Sequence, residues 1–389
     1  MQVYDCVIIG GGISGLLTAW FLRETGMHIA LLEAGQIGRE SSWAGGGILS
    51  PLYPWRYPEA VTALASYSQK HYQKFAKSLH ETSRLDPEYV RNGLLILDTD
   101  EHQLADNWAK NHQVHLEKID FDALHFYEPE LTEQKHTEAL WMPYIGQLRN
   151  PRLLKSLQES LKLSANITLL EQHPVVEIKQ IGQQITGVAT AQEFFATERV
   201  VVTAGAWSGS LLKNLGIQTH IAPVRGQMIL FTTQPGLVSR IILANGHYII
   251  PRRDGCLLVG STVEENGFEK YTTASAAQDL KYFALSLIPR LADYTVSKQW
   301  VGLRPGSPSG IPYIGKSCEI NGLYFNTGHF RNGVVMGLAS AQLLADIIQN
   351  RPPILDPAPY AVDAERGGIT MIDVGIPRPP TDKQSSPCN

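Results

Sequence analysis

The apolar positions of the chain fall into blocks whose period changes along its length. Val3, Val7, Ile8 and Ile9 form a β-rich run over 3–9, after which Ile13, Leu16, Leu17, Trp20 and Phe21 recur at helical spacing. This pattern predicts a buried strand feeding a helix. Gly26 stops the helix, and Ile29 to Leu32 predict a second buried strand that ends on Glu33, completing a βαβ unit of about thirty residues. Two further blocks of the same kind stand far downstream: "RVVVTAGAWSGSLL" from Arg199 to Leu212, and "GLYFNTGHFRNGVVMGLASAQLLADIIQ" from Gly322 to Gln349. In the latter, "GHFRNGVVMG" is expected to begin a helix whose buried stripe is Val334, Leu338, Ala341, Leu344, Ala345 and Ile348. Between the blocks, 59–82 predicts helix, while 93–97, 226–232, 247–250 and 256–261 read as strands suited to an antiparallel sheet. The prolines at 352, 353, 357 and 359, followed by "PRPP", predict a tail without regular structure over 351–389.

The three glycines between the first strand and its helix carry the first chemical signal. In Gly10-x-Gly12-x-x-Gly15 the first glycine permits a tight turn, the second admits a phosphate to the backbone, and the third lets helix and strand pack closely. The helix N-terminus then presents free N–H groups and about half a positive charge to a pyrophosphate. Glu33 follows Gly15 by eighteen residues, where an acid at a strand end meets ribose hydroxyls and disfavours a 2′-phosphate. An NAD domain would form one continuous block, whereas scattered segments suit a domain that encloses an extended FAD. The loop Gly38 to Pro51 adds Ser41, Ser42 and the backbone of Gly46, Gly47 and Ile48 as candidate contacts to pyrophosphate, ribitol or flavin ring.

The expected fold is therefore α/β: a discontinuous Rossmann-like FAD-binding domain with an inserted α+β substrate domain built on an antiparallel sheet. The boundaries read as 1–88, 144–218 and 304–362 for the FAD-binding parts, 89–143 and 219–303 for the substrate parts, and 363–389 for the tail.

Composition narrows the partners. With 389 residues, a net charge of −4 and a pI near 6.3, and no dense basic block, the chain points to a small-molecule partner and away from nucleic acid or anionic membrane. Cys6, Cys256, Cys318 and Cys388 are widely separated and follow no metal-ligand spacing, so no metal site is expected. The uncharged run Val7 to Leu22 is too short to span a bilayer, and Asp5 stands where a secretory signal would be basic. A cytoplasmic location is expected.

Taken in order, "VIIGGGISGL", "RESSWAGGGILSPLYPWRY", "VRGQMILF", "YIIPRRDGCLLVGST", "WVGLRPGSPSGIPYIG" and "GHFRNG" resemble the D-amino-acid-oxidase-like family of FAD amine oxidases, and within it the glycine oxidases of thiamine biosynthesis. The resemblance runs from about Tyr4 to Tyr360. It implies FAD-dependent oxidative deamination of glycine or similar small amines such as sarcosine and small D-amino acids. Oxygen would be reduced to hydrogen peroxide, and the glycine imine would supply thiazole synthesis. A D-amino acid dehydrogenase or a sarcosine-oxidase-like enzyme of the same family is the alternative, and a homo-oligomer is suggested by resemblance alone. By carry-over, Arg304 matches the arginine that binds the substrate carboxylate, Tyr248 the tyrosine that supports it, and Arg331 a residue beside the substrate. The matching cofactor positions are Gly10, Gly12, Ile13, Ser14, Gly15, Glu33, Ala34, Ser41, Ser42, Gly46, Gly47 and Ile48, together with His329, Phe330, Arg331, Asn332, Gly333, Val334 and Val335. Val175 or its neighbour Val176 matches an adenine-side valine.

Two departures are visible. No cysteine lies near "GLRPG", where monomeric sarcosine oxidases bond the flavin, so noncovalent FAD is expected; and Gly246 followed by His247 stands where a glycine oxidase of this family has a histidine shortly before the tyrosine. The chemistry of the residues agrees with Arg304 as anchor, because a planar guanidinium binds a carboxylate through two parallel charge-assisted bonds. Arg252 and Arg253 read as solvated charges at a strand end, and strand alternation turns His247 away from Tyr248.

Overall fold

The computed structural model of the chain describes residues 3–97, 99–132 and 138–366, so most of the expected tail lies outside the described residues. Six strands form one sheet in the order Tyr313–Lys316, Leu323–Thr327, Val200–Val202, Cys6–Ile9, Ile29–Leu32, Ile167–Leu170. All neighbours are parallel except the edge pair formed by the first two. The three separated apolar blocks thus meet side by side. Strand Cys6–Ile9 is buried on both faces, as the centre of a parallel sheet must be. Cys6 and Ile8 enter a layer shared with helices Ile13–Leu22, Glu59–Ser83, Asn150–Lys162 and Gly337–Ile348, while Val7 and Ile9 enter a second layer beneath a three-stranded sheet.

The strand-like stretches of the middle of the chain join an eight-stranded sheet, in the order Val296–Gly306, Ala222–Thr232, Cys256–Gly260, His247–Pro251, Ile241–Ala244, Leu94–Ile96, Glu138–Met142, Glu117–Asp120. It is antiparallel except where Ile241–Ala244 runs parallel to Leu94–Ile96. Period-two alternation sorts its side chains between two cores. Ile229, Phe231, Ile249 and Val259 pack with Leu280, Ala284 and Leu287 of helix Ala274–Leu287. Met228, Tyr248 and Ile250 face the other way, with Ile48, Leu52 and Tyr53. His247 follows the same rule: its ring lies 5.1 Å from Phe283 of the covering helix, on the opposite side from Tyr248.

Three sequence expectations change. The first strand is Cys6–Ile9, with Val3 reduced to an isolated bridge to Ala196. Helix Gly337–Ile348 starts later than "GHFRNG", because 330–336 is a run of turns with Phe330 at φ 48°. The beginning of the presumed tail is packed: Ala358–Tyr360 is a 3-10 turn, Tyr360 is buried with its hydroxyl donating to Ala60 O at 2.8 Å, and the Arg366 guanidinium sits 3.8 Å over the Tyr313 ring. Proline lacks the N–H that a helix interior or a sheet ladder needs, but its φ near −65° suits a turn.

At the approach to strand Ile241–Ala244, the Glu128 carboxylate accepts the backbone N–H of Ser239 at 2.7 Å and that of Arg240. It is 1% exposed, and burial pushes its pKa up to about 7. The folded value lies above the unfolded carboxyl value of about 4.3, so Glu128 costs nothing below the unfolded pKa and a growing amount as pH rises through about 7. Thermal unfolding of Glu128→Gln is expected to gain on the order of 1 kcal/mol over the parent at pH 8 and nothing at pH 4, since the amide keeps an acceptor and removes the charge. A gain independent of pH would contradict this.

Candidate active site

The carboxyl ends of the parallel strands open into a cavity of about 490 Å³, lined from both sheets. Gly10 takes φ 110°, and a Cβ there would stand 2.6 Å from Thr203 O, so the tight turn and the neighbouring strand both require glycine. Thr203 secures the turn by donating its hydroxyl to Ile9 O and Gly10 O. At Gly15 a Cβ would meet Gly10 O at 1.9 Å, which is the helix-to-strand contact foreseen for the third glycine. The Ser42 hydroxyl accepts from Ile13 N at 2.9 Å, joining the 40–50 loop to the start of helix Ile13–Leu22. The Glu33 carboxylate accepts from Gly11 N at 2.7 Å and Gly35 N at 2.9 Å, beside the glycine turn.

Of the expected cofactor positions, Gly10, Gly12, Ile13, Ser14, Glu33, Ala34, Ser41, Ser42, Gly46, Gly47, Ile48, Val175 and the run His329 to Val334 line this cavity. Gly15 and Val335 do not: the first is spent on packing and the second is buried in the helical layer. Val175 and Val176 both reach the lining, the former half-buried and the latter exposed.

The 40–50 loop, which begins as the short helix Glu40–Ala44 where the sequence suggested only a loop, is pressed against the antiparallel sheet. A Cβ on Gly46 would lie 2.5 Å from Ile250 Cδ1 and 3.2 Å from the Tyr248 ring, one on Gly47 2.1 Å from Leu148 O, and one on Gly302 2.6 Å from Ala44 Cβ. Trp300 Nε1 donates to Ala44 O at 3.0 Å, and its ring meets Trp43 edge-on at 5.9 Å. Arg252 overturns its expected role as a solvated charge. It is buried, donating to Gly46 O at 2.6 Å, Leu148 O at 2.9 Å and Gln147 Oε1, whereas its neighbour Arg253 is exposed and pairs with Asp86. Burial and the charge of Arg149 lower the Arg252 pKa to about 10, so it remains a cation at neutral pH.

At the far end the three expected catalytic side chains come together. Arg304 Nη1 donates to Arg225 O and Thr262 O, both at 3.2 Å, and Nη2 donates to Ser261 Oγ at 2.7 Å. Those bonds take three of the five guanidinium hydrogens, and the remaining two are suited to the Tyr248 hydroxyl and a carboxylate. Burial, then the Arg331 charge, lowers the Arg304 pKa to about 10; the Tyr248 hydroxyl hydrogen-bonds it and works in the other direction. Tyr248 is buried, with its hydroxyl 3.8 Å from Met228 Sδ. Arg331 lines the cavity from the turns after strand Leu323–Thr327. His329, beside it, is fully enclosed; burial lowers its pKa to about 4, and Nε2 lies 3.0 Å from Ser340 Oγ, so it is a neutral structural ring.

Sequence reasoning missed the floor of this end. Gly226 and Gly302 are cross-strand partners, and a Cβ on Gly226 would stand 2.2 Å from both Arg304 Nη atoms. Glycine inside a strand marks a close approach, so "VRGQ" and "VGLRPG" held the signal. Met228, Leu52 and Ser261 also reach the lining.

The donor set fits an FAD. A cradle of glycines is free of side chains along the lining, a helix N-terminus and a strand-end glutamate lie at one part of it, and cationic groups lie at the other. A family model described as FAD dependent oxidoreductase (DAO) matches residues 5–347. The chain is 46% identical over 355 residues to a glycine oxidase of Pseudomonas aeruginosa, covering 91% of this chain and 97% of that protein. It is 29% identical over 379 residues to the bifunctional protein ThiO/ThiG of Trichormus variabilis, covering 95% of this chain and 56% of that protein. Among solved structures, glycine oxidase from Geobacillus kaustophilus matches with a TM-score of 0.89 at 27% identity, covering 94% of this chain and all of that one.

Two substitutions probe this geometry. Arg252→Met is expected to weaken FAD retention by about tenfold, read by flavin fluorescence on dilution, because the Gly46 carbonyl loses its charge-assisted donor. Gly226→Ala is expected to displace the Arg304 guanidinium and to weaken binding of a small carboxylate by about tenfold or more at unchanged FAD content. Equal carboxylate affinity in the alanine variant would contradict the proximity of residues 226 and 304.

Proposed function

The chain belongs to the DAO family of FAD-dependent oxidoreductases, and from that premise we propose that it is a glycine oxidase. It converts glycine, oxygen and water to glyoxylate, ammonia and hydrogen peroxide, and accepts similar small amines such as sarcosine and small D-amino acids. The observation that carries this reading is the Arg304 guanidinium, which is held at one end of the cofactor cavity by two carbonyls and a hydroxyl, with Arg331 and Tyr248 beside it. That arrangement asks for an anion.

Arg304 binds the substrate carboxylate with hydrogens that its carbonyl and hydroxyl partners leave, Arg331 adds positive potential, and the Tyr248 hydroxyl supports the same group. With the carboxylate fixed, the adjoining carbon is held in one orientation, so positioning supplies a large share of the rate. Met228, Leu52 and Ile48 give this end an apolar wall that limits water. FAD, when bound, supplies the electron-pair acceptor for the substrate C–H hydride. The amine must enter neutral, and no strong general base is required of the protein. The expected fate of the imine, before water hydrolyses it, is thiazole synthesis for thiamine; the bifunctional relative, in which a region like this chain makes up 56% of the length, supports a coupled use of the product.

Glycine in air is expected to yield peroxide stoichiometric with glyoxylate, and anaerobic glycine to bleach the flavin absorbance. Arg304→Ala is expected to raise KM about a hundredfold, and Tyr248→Phe by about tenfold or less, because the first removes a charge-assisted fork and the second a single hydrogen bond. No bleaching by any member of a small-amine panel, or equal small effects of both substitutions, would overturn the assignment.

A further inference from the structure

Behind the Arg304 pocket, on the opposite face of the sheet, lies an ion pair that the reaction as described does not use. Strand alternation turns Gly226 and Met228 toward the cavity and Arg225 and Gln227 away from it. Arg225 is 2% exposed; its Nε lies 2.9 Å from Glu264 Oε2, and its Nη2 bonds the same oxygen. The other Glu264 oxygen accepts from Gln227 Nε2 at 2.9 Å and from the Thr262 hydroxyl, which in turn accepts from Gln227 N at 2.8 Å. The backbones of Arg225 and Glu264 also bridge reciprocally, N to O, at 2.8 and 2.9 Å.

We propose that Glu264 is a positioning residue for substrate binding: its pairing with Arg225 and Thr262 holds the Arg225 and Thr262 carbonyls, and through them the Arg304 guanidinium, in the orientation that receives the carboxylate. The inference rests on the reading of Arg304 given above. Two features make it more than a structural contact. The acceptors that fix Arg304 are Arg225 O, Thr262 O and Ser261 Oγ, and they belong to the two segments that Glu264 ties together. The placement of the charge matters equally. Glu264 pairs with Arg225 from behind the sheet, so its carboxylate acts on Arg304 through space and does not occupy the side of the guanidinium that faces the cavity. A glutamate on the cavity side would compete with the substrate for the same fork.

The test is titration of the FAD-loaded protein with glycolate, which keeps the carboxylate of glycine and replaces its amine by a hydroxyl, read as a shift in the flavin spectrum, together with glycine kinetics. Glu264→Gln is expected to raise the glycolate Kd and the glycine KM about tenfold while kcat changes less than about threefold. Glu264→Asp is expected to recover part of that loss. Removing Glu264 can also strand the buried Arg225, so the paired variant Arg225→Met with Glu264→Met deletes both charges and is expected to show the same weakening at full FAD content. Should Glu264→Gln lose its FAD, the paired variant decides alone. Parental glycolate affinity in the paired variant, even with a lowered melting temperature, would reduce the pair to a structural role and overturn the inference. Arg304→Ala in the same titration separates the two ideas: weak glycolate binding there with parental binding in the Glu264 variants sinks only this inference, whereas parental binding in Arg304→Ala sinks the proposed function with it.

Discussion

A guanidinium enclosed by protein and satisfied by neutral acceptors is the constraint around which this molecule is arranged. Two carbonyls and a hydroxyl can orient Arg304, but they do not neutralise it, and enclosure beside Arg331 makes the charge harder to hold, as the lowered pKa records. An incoming carboxylate relieves both penalties at once, through charge-assisted bonds in a site where water screens little. Strand Val296–Gly306 delivers this arginine from the antiparallel sheet to a cavity whose opposite wall belongs to the parallel one.

That delivery depends on how closely two sheets can approach. Ala44 sits where a side chain on Gly302 would be, the Tyr248 ring and Ile250 crowd Gly46, and the Arg304 head lies over Gly226. The contacts with Ala44, Ile250 and Arg304 are shorter than a Cβ allows, so glycine supplies space here before it supplies flexibility. Arg252 and Trp300 then hold the approach with donors aimed at the Gly46 and Ala44 carbonyls. The same loop reaches helix Ile13–Leu22 through Ser42, which ties the cofactor turn and the substrate pocket to one short segment.

Much of this was legible in the chain, for identifiable reasons. The glycine turn, the buried strand before it and Glu33 after it are neighbours in sequence, so local spacing sufficed. Strand alternation alone places Tyr248 and His247 on opposite faces, because the period of two is a property of the backbone. Arg252 was misread because a charge at a strand end is usually solvated; its burial follows from Gln147, Leu148 and Gly46, each about a hundred residues or more away. Residues 358–360 were misread because prolines exclude regular ladders but leave open a packed turn.

Short-range order was therefore decided by the amino-acid sequence itself: which blocks are strands or helices, where the dinucleotide turn lies, and, through resemblance, which arginine and tyrosine to watch. The tertiary structure alone decided that Arg304, Tyr248 and Arg331 share one pocket, that Gly226 and Gly302 stand opposite each other beneath it, and that the carboxylate of Glu264 is held behind the sheet, away from the fork. Hydrophobic period and turn chemistry act over a few residues, whereas sheet register and the approach of two sheets are set by contacts between segments far apart in the chain, and charge balance inside a site exists only after those contacts form.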